Sequence, residues 1–419
     1  MSNIRPVRGT RDFYPEDLRF RNWLFSNFRK VSRIHGFEEY DSPIIENEEL
    51  YTRKTGEEIV EQLYSFEDKS GRRVSLRPEM TPSLARMIMA RATGLALPLK
   101  WFSIPQCWRY ERMTRGRKRE HYQWNMDIFG IKGVEAEAEL LSSLVSFFTK
   151  VGLSSKDVGI RISNRKLLQS LLSDAGVQNN QFPQVCVIVD KLNKLDEKKI
   201  LSELSNIGLT SSVSQRIIDL VSVKSLSDLS DKQFLSEAYQ ELNSLFKKCE
   251  DYGFSDWLIF DASIVRGLAY YTGTVFEAFD RGATLRAICG GGRYDNLLSN
   301  LGGQDIPACG FGFGDVVIGE LLSDKDIVPE LECDIDDVVF SFNSDLTSVA
   351  IDITNKLRKN NRSVDLVLDD KKIKWAIKHA DKIGAKRLVL LAPNEWSRGK
   401  IKVRDLKTGD ESEKSISEL

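Results

Sequence analysis

Hydrophobic and polar positions change period several times along the chain, and each change marks an element. Across 15–35 the apolar residues Leu18, Phe20, Trp23, Leu24, Phe28, Val31 and Ile34 recur at helical spacing behind Pro15, which suits a first turn, so an amphipathic helix is expected. EEYDSPIIE reads as a strand up to its proline, and LYSFEDKSGRRVSLRPEMT as two short strands about a turn at Asp68 to Gly71. A helix is expected at 81–93. KWFSIPQCWRYERM and REHYQWNMDIFG then read as antiparallel strands joined by a basic loop at 112–119. From 164 to 250 the texture turns to Leu, Ser, Lys and Asp at helical spacing, which reads as a helical insertion. Strand texture returns at 257–294, and ICGGGRYDNLL and PACGFGFGDVVIGELL read as glycine-rich turns running into helices. Past an acidic stretch at 323–337, strands at 338–342, 363–367 and 387–392 alternate with helices at 346–359 and 370–383. That alternation predicts a small α/β domain with a mainly parallel sheet.

Length and composition narrow the class. At 419 residues the chain exceeds one ordinary compact core. No apolar run approaches the roughly 20 residues of a membrane span, so no membrane is expected among its partners. Sixty basic against 61 acidic residues leave a net charge of −1, so any nucleic-acid surface must be a local patch. Such a patch exists at 371–407, with 12 basic and three acidic residues, a balance of +9. The N-terminus, MSNIRPVRGTRDFYPED, lacks an apolar export core and enters motif-like sequence too early for a transit peptide, so a cytoplasmic location is expected. Six scattered cysteines are read as reduced and mostly structural. With only His35, His121 and His379, a histidine-rich metal site is excluded.

Three clusters carry candidate chemistry. VRGLAYYTGTVFE, residues 265–277, alternates like a strand in its right half, placing Tyr271, Gly273, Val275 and Glu277 on one face and Tyr270, Thr272, Thr274 and Phe276 on the other. It reads either as a pocket wall with Arg266 as a fixed cation for a carboxylate or phosphate, or as a core strand with an incidental arginine. RPEMT, residues 77–81, would set Glu79 and Thr81 on one strand face, where a carboxylate can hold an ammonium group. The window 109–119 has six basic residues against Glu111 alone, which fits either a phosphate-binding hairpin or a solvated charged loop.

In their order and spacing these clusters resemble the class II aminoacyl-tRNA synthetases, and specifically the histidyl-tRNA synthetase family. The resemblance spans RGTRDFYPED, RPEMT, the arginine hairpin, RGLAYYTGTVFE followed by GGGRYDNLL, and ADKIGAKRLVLLAPNEWSRGKIKVRDL. It implies an α+β fold: a class II antiparallel-sheet catalytic core over 1–326 containing the 164–250 insertion, and an α/β anticodon-binding domain over 333–419. The implied reaction joins histidine to tRNA(His) through histidyl-adenylate, with ATP as substrate and magnesium (Mg2+) bridging its phosphates. The long N-terminal helix and the strand after it resemble the family's dimer interface, so a homodimer is expected.

The resemblance also assigns residues. Glu79, Thr81 and Gln123 would grip the α-amino group and neighbouring parts of histidine. Asp127 and Tyr271 would recognise the imidazole, with Tyr270 lining the pocket or serving the core. Asp127 stands where relatives often have a longer glutamate, so a compensating shift or a bridging water is expected. Arg109 and Arg266 would neutralise the α-phosphate and the histidine carboxylate. Glu111 would bind adenine, His121 would stack on it or serve as an ordinary sheet histidine, and Arg117 would reach the β- and γ-phosphates. Trp375 and Trp396 would stack on RNA bases or fill the core. Two positions depart from the family pattern: Val317 stands where an arginine for the γ-phosphate is usual, and Ala269 where an aspartate is usual. Arg117, Arg115 or a metal held by Asp315 would have to compensate for the first. Two rival readings keep the fold without the reaction: a noncatalytic regulatory subunit, and a sensor of uncharged tRNA.

Overall fold

The computed structural model describes residues 4–53, 57–91, 94–189, 196–229, 236–264, 270–331 and 333–419. The chain forms two compact units, Met1–Val328 and Pro329–Leu419.

In the first unit the strands run β1 (Glu38–Glu39), β2 (Ile45–Asn47), β3 (Tyr64–Glu67), β4 (Arg73–Leu76), β5 (Leu99–Ser103), β6 (Gln106–Trp108), β7 (Glu120–Phe129), β8 (Val158–Asn164), β9 (Leu258–Phe260), β10 (Thr274–Asp280), β11 (Cys289–Arg293) and β12 (Ala308–Gly314). The main sheet has the order β1-β5-β7-β12-β11-β10-β8-β9, with β6 added along the start of β7, and β2, β4 and β3 form a small separate sheet. Its pairings are antiparallel except at the ends, where β1–β5 and β8–β9 are parallel.

One face of this sheet is the core. Trp124, Met126 and Ile128 of β7, Cys309, Phe311 and Phe313 of β12, and Phe276 and Ala278 of β10 point into it. The helices Pro15–Ile34 and Glu135–Lys150 cover that face with Phe28 and Phe147, whose rings lie 4.7 and 5.5 Å from Trp124. Pro15 opens its helix, and Glu16 and Asp17 favour the positive end of the helix dipole. Beyond β8, helices Arg165–Ala175, Phe182–Val189, Glu197–Asn206, Ser211–Val221 and Glu237–Asp251 follow, several with side-chain caps from Asn164, Asp196, Thr210 and Ser236. The first four of these helices bury a small core of their own around Leu172, Val185, Leu204 and Ile217.

The second unit carries β13 (Asp337–Ser341), β14 (Val364–Leu366), β15 (Arg387–Leu391), β16 (Ile401–Asp405) and β17 (Glu411–Lys414) in the order β14-β13-β15-β16-β17. Alternate residues face two helices: Val339 and Val389 pack on Thr347–Lys359, and Val338, Phe340 and Leu388 on Ile373–Lys382. The first three strands are parallel, as their helical connections require. The final two are antiparallel and extend the sheet beyond the three strands expected. Their sequences, IKVRD and ESEK, are too polar to stand out by hydrophobic pattern.

Three local expectations are corrected. The runs CGGGR and ACGFGFG are strands β11 and β12, not turns. Glycine is usually depleted in strands, but here side chains have no room: a Cβ on Gly291 would lie 2.7 Å from Phe276 and Phe311, and one on Gly292 would lie 2.5 Å from the Thr274 carbonyl. RPEMT does not hold Glu79 and Thr81 on a strand face, because β4 ends at Leu76 and Thr81 begins the helix Thr81–Ala90, whose next residue is a proline suited to a first turn. Strand β10 begins only at Thr274, so the alternation proposed for Tyr270 and Tyr271 does not apply, and both tyrosines fall in one buried cluster.

Candidate functional site

The opposite face of the main sheet carries the polar chemistry. Odd-numbered residues of β7 point there: His121, Gln123, Asn125 and Asp127. The neighbouring strand places Gly310 opposite Asp127 and Gly312 opposite Asn125. A Cβ on Gly310 would approach Asp127 Cγ to 2.8 Å, and one on Gly312 would approach Gln123 Cδ to 2.8 Å. The glycines therefore leave space for these side chains to stand up from the sheet. That function was not visible in the bare glycine pattern.

Glu79 arrives from the turn before the helix Thr81–Ala90, and Tyr270 donates its hydroxyl to Glu79 Oε2 at 3.0 Å, with the Thr81 hydroxyl also bonded to Tyr270. Tyr270 thus joins the polar cluster despite its burial. Its ring lies 5.1 Å from Tyr271 and 5.8 Å from Tyr294. The Tyr294 hydroxyl donates a hydrogen bond to Asp127 Oδ1. Three buried acceptors here have no hydrogen-bond partner among the described residues: Glu79 Oε1, Asn125 Oδ1 and Asp127 Oδ2. Such oxygens are costly to leave unmet, so their convergence marks a place for a donor-rich ligand. Burial raises the pKa of Asp127 to about 7 against the Tyr294 hydrogen bond, and the nearby Glu79 adds to the rise. Burial likewise raises Glu79, opposed by Arg109 and Tyr270. Asn125 and Tyr294 were missed at the sequence level; only their place on the polar face of β7 and in the GGGRYD run points to them.

Arg109 links this cluster to a second one. Its Nε donates to the Pro78 carbonyl at 2.9 Å, and it lines a cleft with Glu111, Arg117, His121, Arg286 and Val317. Burial, then Arg109, Arg11 and Arg117, drive the His121 pKa down to about 3, so its imidazole is a neutral flat ring at physiological pH. Glu111 and Arg117 form an ion pair, with an Nη2–Oε1 distance of 2.7 Å. Arg115 binds Glu320 and Asp324 at 3.0 and 2.6 Å. Asp315 is buried against Arg11 at 2.9 Å and accepts the Tyr122 N–H, so both of its oxygens are already engaged within the protein. Arg266 and Ala269 lie outside the described residues.

The second unit places Trp375 and Trp396 differently. Trp375 is exposed and stacks on His379 at 4.6 Å, with Lys371 5.6 Å from its ring, whereas Trp396 packs against the core. No group of three or more metal-ligating side chains occurs among the described residues, and no described helix is long and apolar enough to cross a membrane.

Residues 9–314 match the family model described as histidyl-tRNA synthetase, and residues 337–419 match the anticodon binding domain. The chain belongs to the histidyl-tRNA synthetase family. It is 52% identical to the "Histidine--tRNA ligase, chloroplastic/mitochondrial" of Arabidopsis thaliana over 418 residues, 100% of this chain and 86% of that protein. It is 38% identical to the histidine–tRNA ligase of Opitutus terrae, covering 99% of this chain and 96% of the relative. The crystal structure of histidyl-tRNA synthetase from Nostoc sp. PCC 7120 superposes with a TM-score of 0.83 at 24% identity, covering 100% of this chain and 99% of that one, and supports the same fold. The histidyl-tRNA synthetase fold expected from the sequence, an antiparallel-dominated α+β core followed by an anticodon-binding domain with its own sheet, is the one observed.

Proposed function

We propose that this chain joins histidine to tRNA in two steps: histidine and ATP form histidyl-adenylate and pyrophosphate, and the histidyl group then moves to the terminal ribose of tRNA(His). The observation that carries this reading is the meeting of three partnerless buried oxygens with an arginine-lined cleft across Arg109. A cationic amino group and an imidazole N–H are the donors those oxygens lack. Glu79, Thr81, Gln123 and Tyr270 hold the amino-group end, and Asp127 with Tyr271 holds the imidazole. A carboxylate oxygen of histidine attacks the α-phosphorus, the bond to the β-phosphate oxygen breaks, and pyrophosphate leaves with those electrons. Arg109 and Arg266 neutralise charge on the carboxylate and α-phosphate as it develops.

Glu111 and His121 receive adenine. Arg117 reaches the phosphates by leaving Glu111, so nucleotide entry exchanges their ion pair for two ligand contacts. Glu277, coupled electrostatically to this corner of the cleft, matches the kind of carboxylate that magnesium takes when phosphates supply its other ligands. Bound there, Mg2+ would neutralise phosphate charge.

In this reading residues 1–326 are the catalytic core, and 333–419 hold the tRNA anticodon through the basic patch at 371–407 and the exposed Trp375. The protein works as a homodimer, supported by exposed Ile34, Ile44 and Ile45 around the N-terminal helix and the segment after it. Sedimentation as a monomer at micromolar concentration contradicts that. Six cysteines present as thiols suit a reducing compartment, for which the cytoplasm is our reading. Organellar accumulation of a C-terminal fluorescent fusion overturns it.

Histidine-dependent exchange of pyrophosphate into ATP tests the function. Exchange is expected with the purified protein and magnesium, and none at all removes the enzyme reading. The regulatory-subunit and tRNA-sensor readings are not favoured, since the relatives named above are histidine–tRNA ligases over nearly the full chain. Arg266→Ala abolishes exchange while leaving the fold intact; near-normal exchange refutes its assigned role.

A further inference from the structure

The cleft is richer in positive charge than its pairing explains. Arg117 is held by Glu111, Arg115 by Glu320 and Asp324, and Arg109 by the Pro78 carbonyl. Arg286, in the loop between β10 and β11, lines the same cleft and makes no hydrogen bond or ion pair among the described residues. The opposite wall is uncharged: Val317, in the first turn of the helix Asp315–Asp324, is buried and lies within 3.3 Å of where a Cβ on Gly116 would stand. Asp315, the one acid in that turn, faces away to Arg11 and Tyr122.

Resting on the adenylate-forming reading above, we propose that Arg286 binds the β- and γ-phosphate end of ATP and steadies departing pyrophosphate, supplying from the sheet loop the charge that Val317 cannot supply. Two physical features support this. A guanidinium is planar and always charged, suited to a two-pronged hold on phosphate oxygens. Arg286 also pays for its position: burial first, then the like charge of Arg117, lowers its pKa, with Arg109 adding to the effect and Glu111 opposing it. A polyphosphate relieves all three repelling cations together. Lys118, on the arginine hairpin, also lines the cleft without an ion pair among the described residues and is the competing candidate.

The test is histidine-dependent pyrophosphate exchange by the full-length wild type and by Arg286→Ala, Arg286→Lys and Lys118→Ala, each checked for a wild-type thermal melt. Arg286→Ala is expected to lower kcat/KM for ATP by 30-fold or more and to raise the KM for pyrophosphate, while the KM for histidine changes less than about twofold. Inhibition by AMP, which lacks the distal phosphates, should be unchanged. Arg286→Lys should recover part of the loss, and Lys118→Ala should lose less than a fifth as much. Near-normal ATP and pyrophosphate parameters in Arg286→Ala overturn the proposal, as does a loss carried by Lys118→Ala instead, or one that weakens AMP and ATP equally. Wild type inactive in exchange refutes the underlying functional reading, whereas active wild type with an active Arg286→Ala refutes only this assignment.

Discussion

Replacing Asp127 by Asn should make the unliganded protein more stable, and increasingly so as pH rises. Asp127 is 1% exposed, and burial holds its pKa at about 7 from an ordinary 3.8. The folded state therefore keeps a proton that the unfolded chain gives up between about pH 4 and pH 7. For an acid with a raised folded pKa, stability declines with pH across that window and levels off above it. Three units at about 1.4 kcal/mol each give a full cost of about 4 kcal/mol, of which roughly 2.5 kcal/mol develops between pH 5 and pH 8. Asparagine retains an oxygen to accept the Tyr294 hydroxyl but does not titrate, so any cost of its amide is a constant offset. Guanidinium unfolding at pH 5, 6, 7 and 8, followed by tryptophan fluorescence, should show the stability difference between variant and wild type growing by about that amount. A difference independent of pH would refute the assignment of a raised Asp127 pKa. The same variant should bind histidine about 10- to 100-fold more weakly, because a charge-assisted hydrogen bond to the imidazole is lost.

Gly310→Ala and Gly312→Ala should each raise the histidine KM tenfold or more, because their Cβ atoms occupy the space of Asp127 and Gln123; unchanged kinetics with a native fold would contradict the cleared strip on β12. Tyr270→Phe leaves both Glu79 oxygens without a hydroxyl donor, so exchange kinetics should show a histidine KM about tenfold higher with little change in the KM for ATP. Arg293→Ala removes the buried partner of Glu137, whose oxygens it meets at 2.5 and 2.6 Å while also binding the Ile131 and Gly133 carbonyls, and should destabilise the first unit by about 3–5 kcal/mol in denaturant melts. A loss under 1 kcal/mol would show that the pair is dispensable.

Much of the scaffold could be read from periodicity. Pro15–Ile34, the β3–β4 hairpin and the helices between 165 and 251 follow regular apolar spacing, and their caps are local in sequence. Periodicity failed where tertiary geometry overrides propensity. The glycines of β11 and β12 look like turns because the side chains they make room for, Tyr271, Gln123 and Asp127, are distant in sequence. Glu79 and Thr81 needed no shared strand face, since a turn and a helix start bring them to Tyr270 instead. Motif resemblance supplied the candidate residues but not their pairing. That Arg115 is engaged by Glu320 and Asp324, and that Arg286 shares the cleft of Arg109 and Arg117 with no carboxylate or carbonyl bonded to it among the described residues, depends on segments more than 150 residues apart. Asn125 carried no signal of its own; its importance comes from a neighbour two residues away and a glycine across the sheet.

From His121 to Ile128 strand β7 alternates, with His121, Gln123, Asn125 and Asp127 on the chemical side and Tyr122, Trp124, Met126 and Ile128 on the packed side. One inserted or deleted codon within it would invert every later side chain, sending carboxylate and amide into the aromatic core and indole into the substrate space. Lengthening or shortening the 112–119 hairpin would leave that phase intact. Over evolutionary time the strand should therefore admit substitutions but no changes of length, and variation in length should collect in the loop before it.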